Sequence, residues 1–417
     1  MSAPFSIICL SSQEWRAALP TNRQQIMQRA AAGGHRVVFL ETGHFLGLHL
    51  WRLAVRRGRR SLLRRLTRGE SGGPLITVRK SAAVLPYAQR SRRAADVNGA
   101  LTARLVRRVA RRLPQPVVLW IYDPLAAGTV EACSDFVSVY DCVDDYAEQV
   151  GGDPRRRRVV SDCDERVARA ARLVFTTSRS LHERQRARNR RTCFVRNVGD
   201  FAHFSGAAPG DAAPETRLPA PVLGFLGNLI SSKVDFDVLR DLAEARPDWS
   251  LLLIGPVGTE AEPELNLLCR LENATWLGPR PYADAPRYVA GFDVALIPYR
   301  SNAYTRSCFP LKVFEYLAAG KPVVASGLPE LEGMRPDVAL AADSSEFIAL
   351  VEQALELREG EDVARRRALA AENTWETRAA LLLGAVDDEL ERLQAASRDV
   401  PMDVTGPSEG ALGVRRA

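Results

Sequence analysis

The sequence predicts an α/β protein built from two doubly wound, Rossmann-like domains that face each other across a cleft. Buried-type strands alternate with helical patterns twice over, once up to about residue 200 and again from residue 222. Between the two sets lies a stretch, 206–221, with the Ala, Pro and Gly content of a linker. The charge also changes sign there. Residues 1–200 hold 36 Lys and Arg against 17 Asp and Glu, a net +19, whereas the rest hold 21 against 33, a net −12. A chain of 417 residues is long enough for two domains with full cores.

In the first half, Phe5 to Leu10 reads as a buried strand, followed by a loop from Ser11 to Thr21. Asn22 is the expected cap of a helix running toward Ala32, and Gly33 and Gly34 lead into a strand from Arg36 to Leu40. Further strands are expected at Leu75–Val78, Val117–Ile121, Val137–Tyr140, Leu173–Thr177 and Cys193–Val195, with helices near 98–112, 124–132 and 154–170. The second half repeats the pattern. Its strands are Val222–Leu226, Leu251–Ile254, Thr275–Leu277, Val294–Pro298 and Val323–Ala325, and its helices 234–245, 345–358, 361–371 and 375–396. The predicted division is 1–205, a linker 206–221, a second domain 222–374, a long final helix 375–398, and a disordered tail 399–417 that is rich in Pro, Gly and Ser.

The richest stretch is FPLKVFEYLAAGKPVVAS, Phe309 to Ser326. A strand ends at Pro298, a polar loop runs from Tyr299 to Cys308, and Pro310 suits a first helical position because its missing N–H costs nothing there. The helix should run to Ala319 and close on Gly320 in a left-handed conformation. A helix starting beyond a strand's carboxyl end aims its N-terminus at the crevice where phosphates bind. Lys312 stands in its first turn as a point charge for such phosphates, and the carboxylate of Glu315, one turn on, can accept two hydrogen bonds from a ribose diol. The competing reading is an ordinary α/β repeat with both side chains solvated.

This stretch resembles the carboxyl-terminal signature of retaining glycosyltransferases with the two-Rossmann GT-B fold, of the family 4 or "group 1" type. Within that family it is most similar to the branch containing teichuronic-acid biosynthesis glycosyltransferases. The family motif places one Glu on the donor sugar and a second, eight residues later, on the donor ribose. The second falls on Glu315, while Ser307 stands in place of the first. The resemblance implies transfer of a hexose-like sugar from a nucleotide-diphosphate sugar with retained configuration and without a metal or other cofactor. It also implies that the final helix, beginning at Trp375, crosses back to the first domain.

Other donor-side candidates follow from the same resemblance. Lys233, in the loop Asn228 to Lys233 after the first strand of the second half, matches a basic residue set against the donor diphosphate, and Asn228 replaces an Arg that often precedes it. The chain has four lysines in all, and two of them, Lys233 and Lys312, fall on phosphate positions. Leu311 accompanies Lys312 in the donor motif. Gly255 and the Gly278-Pro-Arg280 run sit at successive strand ends. There the backbone can approach a flat base, or the glycines can serve the turns alone.

In the first half, Tyr122 and Asp123 close one strand and Asp141, Asp144 and Asp145 another. The resemblance puts Tyr122 at a donor-sugar position where some members carry His, and Asp123 beside it. Its Tyr-Asp-x-x-Asp motif places Asp141 and Asp144 on the acceptor side; capping of helices by these aspartates is the alternative. Their spacing does not match the metal-binding Asp-x-Asp of other glycosyltransferases. Trp15 either stacks on an acceptor or anchors its loop, and Arg23 can donate to a diphosphate. A GT-B epimerase and an inactive nucleotide-sugar-binding module remain rival functions, the first disfavoured by having only five histidines.

Residues 51–68 carry eight arginines and no acid, with Trp51, Val55, Leu62 and Leu66 on one helical face. That composition fits an interfacial helix on an anionic membrane surface better than nucleic acid, since no recognised nucleic-acid module accompanies it. A carbohydrate or lipid-linked acceptor follows. Seven scattered cysteines, none in a C-x-x-C pair, and no apparent secretion signal point to the cytoplasm, at the inner face of the membrane.

Overall fold

The computed structural model describes residues 4–17, 19–45, 69–83 and 85–398; the arginine-rich segment 51–68 and the tail 399–417 lie outside them. The first sheet contains β1 (Ser6–Ser11), β2 (Arg36–Phe45), β3 (Glu70–Gly73), β4 (Ile76–Ala83), β5 (Val117–Ile121), β6 (Val137–Cys142), β7 (Leu173–Thr176) and β8 (Thr192–Phe194). Their order is β3-β4-β2-β1-β5-β6-β7-β8, parallel throughout except for β3 against β4. Helices cover both faces, which is why central strands such as β1 and β5 are buried along their whole length and read as unbroken apolar runs. Phe5, Ile7 and Cys9 enter the core on one face, and Ile8 and Leu10 the core on the other.

The second sheet contains β9 (Val222–Leu226), β10 (Ser250–Ile254), β11 (Ala274–Trp276), β12 (Val294–Pro298), β13 (Val323–Ser326) and β14 (Val338–Ala341), in the order β11-β10-β9-β12-β13-β14. All neighbours are parallel. Strand order reverses between β9 and β12, and the crevice at the carboxyl ends of those two strands is where doubly wound folds bind ligands.

The final helix, Trp375–Arg398, packs Trp375, Ala379, Leu382, Val386 and Leu390 into a core of the first sheet. It is pinned there by Arg378, fully buried, whose guanidinium lies 3.1 Å from the equally buried Asp141 and donates to the Arg196 carbonyl at 2.7 Å. The linker is itself packed. Ala213 and Thr216 are buried, and Ala213 N donates to the Arg287 carbonyl at 3.0 Å.

Several boundaries differ from expectation. Asn22 is the first helical residue, not the cap; Thr21 occupies the cap position, and its N–H donates to Gln24 Oε1 at 3.0 Å. The helix expected from 98 starts at Arg92, because Ser91 Oγ accepts from Ala94 N and caps it there. The helix expected from Pro310 to Ala319 spans only Lys312–Ala318, with Leu311 as its cap residue. Seven residues give a weaker dipole than ten, so the charge near its start rests more on side chains. Gly320 is left-handed, φ 78°, as a helix terminator. The short strands β3 and β14 and the helices Arg179–Arg186, Glu262–Leu268 and Ala285–Ala290 had no periodic signal strong enough to mark them.

Candidate functional site

At the strand reversal, β9 is followed by Gly227, φ 155°, and a Cβ there would sit 2.4 Å from Lys312 Nζ. The missing side chain lets the Lys312 ammonium lie against the turn, 3.9 Å from the Phe225 ring centre and 5.4 Å from that of Tyr299. The Lys233 ammonium lies 4.9 Å from the Tyr304 ring centre. A third cation comes from the other domain. Arg23, buried near the start of the helix Asn22–Ala32, donates to Tyr146 Oη and Gln13 Oε1, each at 3.1 Å. Arg23, Lys233 and Lys312 line one cavity of about 220 Å³ together with Asp144, Asn228 and Glu315. Leu311 also lines it and packs against the core of the first domain.

The electrostatics are poised. Burial, reinforced by Lys233 and opposed by Glu315, pulls the Lys312 ammonium down to about 7. Burial pushes the Glu315 carboxyl up to about 7, with Lys312 opposing and Asp200 adding to the rise. Burial would lower the Arg23 guanidinium, but Tyr146, Asp144, Tyr122 and Asp123 together raise it, so it remains a fixed positive charge. An anion beside Lys312 would restore its proton, and hydroxyl donors to Glu315 would favour its ionised form. One helical turn separates the two, a spacing suited to a ligand carrying both phosphate and diol.

A second cavity, about 300 Å³, shares Leu19, Thr21, Leu226, Gly227, Asn228 and Tyr282 with the first and continues between Gly255, Pro256 and Arg280. A Cβ on Gly255 would come 2.0 Å from the Gly227 carbonyl, so glycine is needed where these two turns meet, and its backbone forms the wall. Arg280 is held by Nε donating to Tyr288 Oη at 2.9 Å. Gln13 and Ala17 also line this cavity. The loop expected on the acceptor edge therefore reaches over the second domain's ligand crevice.

Other expected residues do not converge here. Tyr122 is fully buried, its hydroxyl directed to the Asn22 carbonyl at 3.4 Å, so it cannot touch a sugar in this arrangement. Asp123 is buried with both oxygens engaged, by Thr42 Oγ1 at 2.7 Å and Leu125 N at 3.0 Å, and caps the following turn. Asp141 is turned away from the cleft into its pair with Arg378. Trp15 anchors its loop, its ring packing edge-on to Phe39 at 5.1 Å while its backbone N–H donates to Glu41 Oε1 at 2.8 Å. Of Asp141, Asp144 and Asp145, only Asp144 lines the cavity, accepting from Tyr304 Oη at 3.2 Å; Asp145 caps a short helix and pairs with Arg184. Among the described residues no group of His, Cys, Asp and Glu is placed to hold a metal ion. Ser307 is buried in the turn Thr305–Ser307.

Sequence reasoning missed Tyr282, Tyr304 and Asn197. Asn197 lines the first cavity and donates from Nδ2 to the Phe309 carbonyl at 2.7 Å, joining the end of the first domain to the stretch Phe309–Ser326. Its place in the Arg196-Asn-Val-Gly-Asp200 turn was the available signal.

Residues 220–357 match the model of the family described as "Glycosyl transferases group 1". A protein of Bacillus subtilis (strain 168), named as the teichuronic acid biosynthesis glycosyltransferase TuaH, is 33% identical over 208 residues, 47% of this chain and 52% of that one. The chain thus spans about half the length of the curated relative it matches. Sucrose-phosphate synthase from Thermosynechococcus elongatus superposes with a TM-score of 0.70 at 15% identity, covering 94% of this chain and all (100%) of the other. HepE from Anabaena, in complex with UDP-glucose, superposes with a TM-score of 0.64 at 17% identity, covering 91% of this chain and 99% of its own. The match to group 1 glycosyltransferases thus falls on the second domain, and the two domains together have the GT-B fold.

Proposed function

We propose that the protein is a glycosyltransferase that takes a hexose-like sugar from a nucleotide-diphosphate sugar and passes it to a carbohydrate or lipid-linked acceptor of surface-polysaccharide synthesis. The observation that carries the proposal is the convergence of Lys233, Lys312 and Arg23 on one cavity at the strand reversal of a group 1 domain, with Glu315 one turn from Lys312. The cations receive the diphosphate, Glu315 the ribose diol, and the apolar cavity between Gly255 and Arg280 the base. The bound UDP-glucose of the Anabaena neighbour and the polysaccharide role in the name of the Bacillus relative support this assignment.

In the reaction the bond from the sugar's anomeric carbon to the diphosphate oxygen breaks, and the nucleoside diphosphate leaves with the electron pair. The acceptor hydroxyl oxygen bonds to that carbon, and its proton passes to the departing phosphate. Lys312 and Lys233 stabilise the charge that develops on the leaving group, a role for fixed cations in a recessed site. Retention requires the acceptor to enter on the face the diphosphate vacates, and no metal is assigned to the step. The basic first half, above all 51–68, would hold the enzyme to the cytoplasmic face of an anionic membrane, where lipid-linked acceptors lie. No helix among the described residues is long and apolar enough to cross that membrane.

The test is binding of nucleoside diphosphates by Lys312→Ala and Glu315→Ala. Each should weaken binding by about 1.5–3 kcal/mol, roughly tenfold to more than a hundredfold, with unchanged melting temperature. Wild-type affinity in both would remove the donor assignment.

A further inference from the structure

Tyr304 belongs to the second domain, yet its hydroxyl reaches the first. The side chain is buried, and its Oη donates to Asp144 Oδ1 at 3.2 Å, while Gln149 Nε2 approaches the same oxygen at 3.5 Å. Over the ring lies the Lys233 ammonium, 4.9 Å from its centre. Lys233 and Asp144 both line the first cavity, whereas Tyr304 is not among its described lining residues. The loops that carry Tyr304 and Lys233 are tied together. Tyr304 N donates to Asn302 Oδ1 at 2.9 Å, and Asn302 Nδ2 donates to the Ser232 carbonyl at 2.9 Å. Arg300 N donates to the Lys233 carbonyl at 2.8 Å. One phenol therefore touches a cation through its face and an anion through its hydroxyl. Among the described residues no carboxylate is in ion-pair contact with Lys233.

We propose that Tyr304 is a positioning residue for the donor diphosphate: its ring carries Lys233 as an unpaired cation, and its hydroxyl binds Asp144 and so keeps that carboxylate off the lysine. This rests on the reading of Lys233 as a phosphate contact. A cation on an aromatic face keeps its full charge, because the ring's quadrupole attracts it without neutralising it. An ion pair would neutralise it, and an incoming phosphate would first have to displace the carboxylate. Of the three cations around the cavity, Arg23 has both terminal nitrogens engaged, by Gln13 and Tyr146, and Lys312 lies against Phe225. Lys233 ends a flexible four-carbon stem and is the cation that a freed Asp144 would capture. A phenol donating to an ionised carboxylate makes a charge-assisted hydrogen bond, which holds the ring as well as the anion. Because Asp144 belongs to the first domain, the charge offered to the donor is set across the cleft.

The experiment is a double-mutant cycle on Tyr304 and Asp144, read by titration with UDP or GDP, whichever binds wild type more tightly. Tyr304→Phe keeps the ring but frees Asp144, and should weaken binding about fivefold. In the Asp144→Asn background there is no anion to release, so the same substitution should change affinity less than about twofold. Tyr304→Leu also removes the aromatic face and should lose roughly a further threefold in either background. A merely structural Tyr304 would not be rescued by Asp144→Asn. Equal weakening by Tyr304→Phe in both backgrounds, or wild-type affinity in Tyr304→Phe, overturns the proposal. Tyr304→Leu binding as Tyr304→Phe does in the Asp144→Asn background overturns the role given to the ring. Wild-type affinity in Lys233→Met would mean that Lys233 does not meet the diphosphate; the underlying reading then fails, an outcome distinct from failure of Tyr304 alone.

Discussion

Gly227→Ala tests how the turn after β9 places the Lys312 cation. The new methyl group would lie 2.4 Å from Lys312 Nζ and 3.2 Å from Cε, at a backbone φ of 155°. Ordinary contact needs about 3.4 Å or more, so the ammonium must retreat by about 1 Å, which it can do because it ends a flexible chain. That retreat takes it from a charge-assisted hydrogen bond with a phosphate to a distance where the bond is lost, about 1.5–3 kcal/mol or roughly tenfold to more than a hundredfold in affinity. Backbone strain at a glycine-type φ adds a cost of about 1–3 kcal/mol that falls on stability rather than on binding. A double-mutant cycle separates the two. By titration calorimetry with a nucleoside diphosphate, Gly227→Ala should weaken binding strongly in the wild-type background and little in Lys312→Ala, while both backgrounds lose the same amount of stability to urea. Equal losses of affinity in the two backgrounds would mean that the turn acts on the ligand directly and that the lysine placement is incidental.

Binding should depend on pH with a defined sign. Lys312, drawn down to about 7, is charged below neutrality, and Glu315, pushed up to about 7, is ionised above it, so affinity should peak near pH 7. At pH 8 the incoming diphosphate should draw a proton onto Lys312, seen as buffer-dependent heat that Lys312→Met abolishes. Arg378→Ala leaves buried Asp141 without its cation and should lower unfolding stability by about 3–5 kcal/mol in urea melts, while any remaining folded protein binds nucleotide normally. Turnover should persist in excess EDTA; complete, magnesium-reversible loss would contradict the metal-free reading. The protein should float with anionic but not neutral liposomes, and replacing Arg56, Arg57, Arg59 and Arg60 by Gln should release it, as should high salt. Equal flotation on neutral vesicles would reduce the patch to a solvated face.

The alternation of strands and helices, and with it the pair of Rossmann-like domains, was legible because buried parallel strands leave short unbroken apolar runs such as Ile7 to Leu10 and Leu251 to Ile254. The helix that carries Lys312 and Glu315 was legible because Lys312, Glu315 and Gly320 lie close together in sequence and share one short helix and its stop. The residues misplaced on the first domain share another property. Tyr122, Asp123 and Asp141 stand at strand ends that face the cleft, but their side chains are claimed by partners far away in sequence, Asn22, Thr42 and Arg378. No local pattern reveals such pairing. The same distance hid Tyr282, whose ring stacks on His203 only once the turn Phe201–Phe204 has folded against the second domain. Pro310 misled by two residues, because its ring suits the approach to a helix as well as its first position.

The central claim is that this cleft binds and cleaves a nucleotide-diphosphate sugar. The most direct measurement is release of nucleoside diphosphate from UDP-, GDP-, ADP- and dTDP-sugars by purified protein, with and without a membrane fraction as acceptor source. The account predicts release from at least one donor, accelerated by acceptor and abolished in Lys312→Ala and Lys233→Ala. Binding of no nucleotide sugar by a folded protein, or release that survives both substitutions, would contradict it.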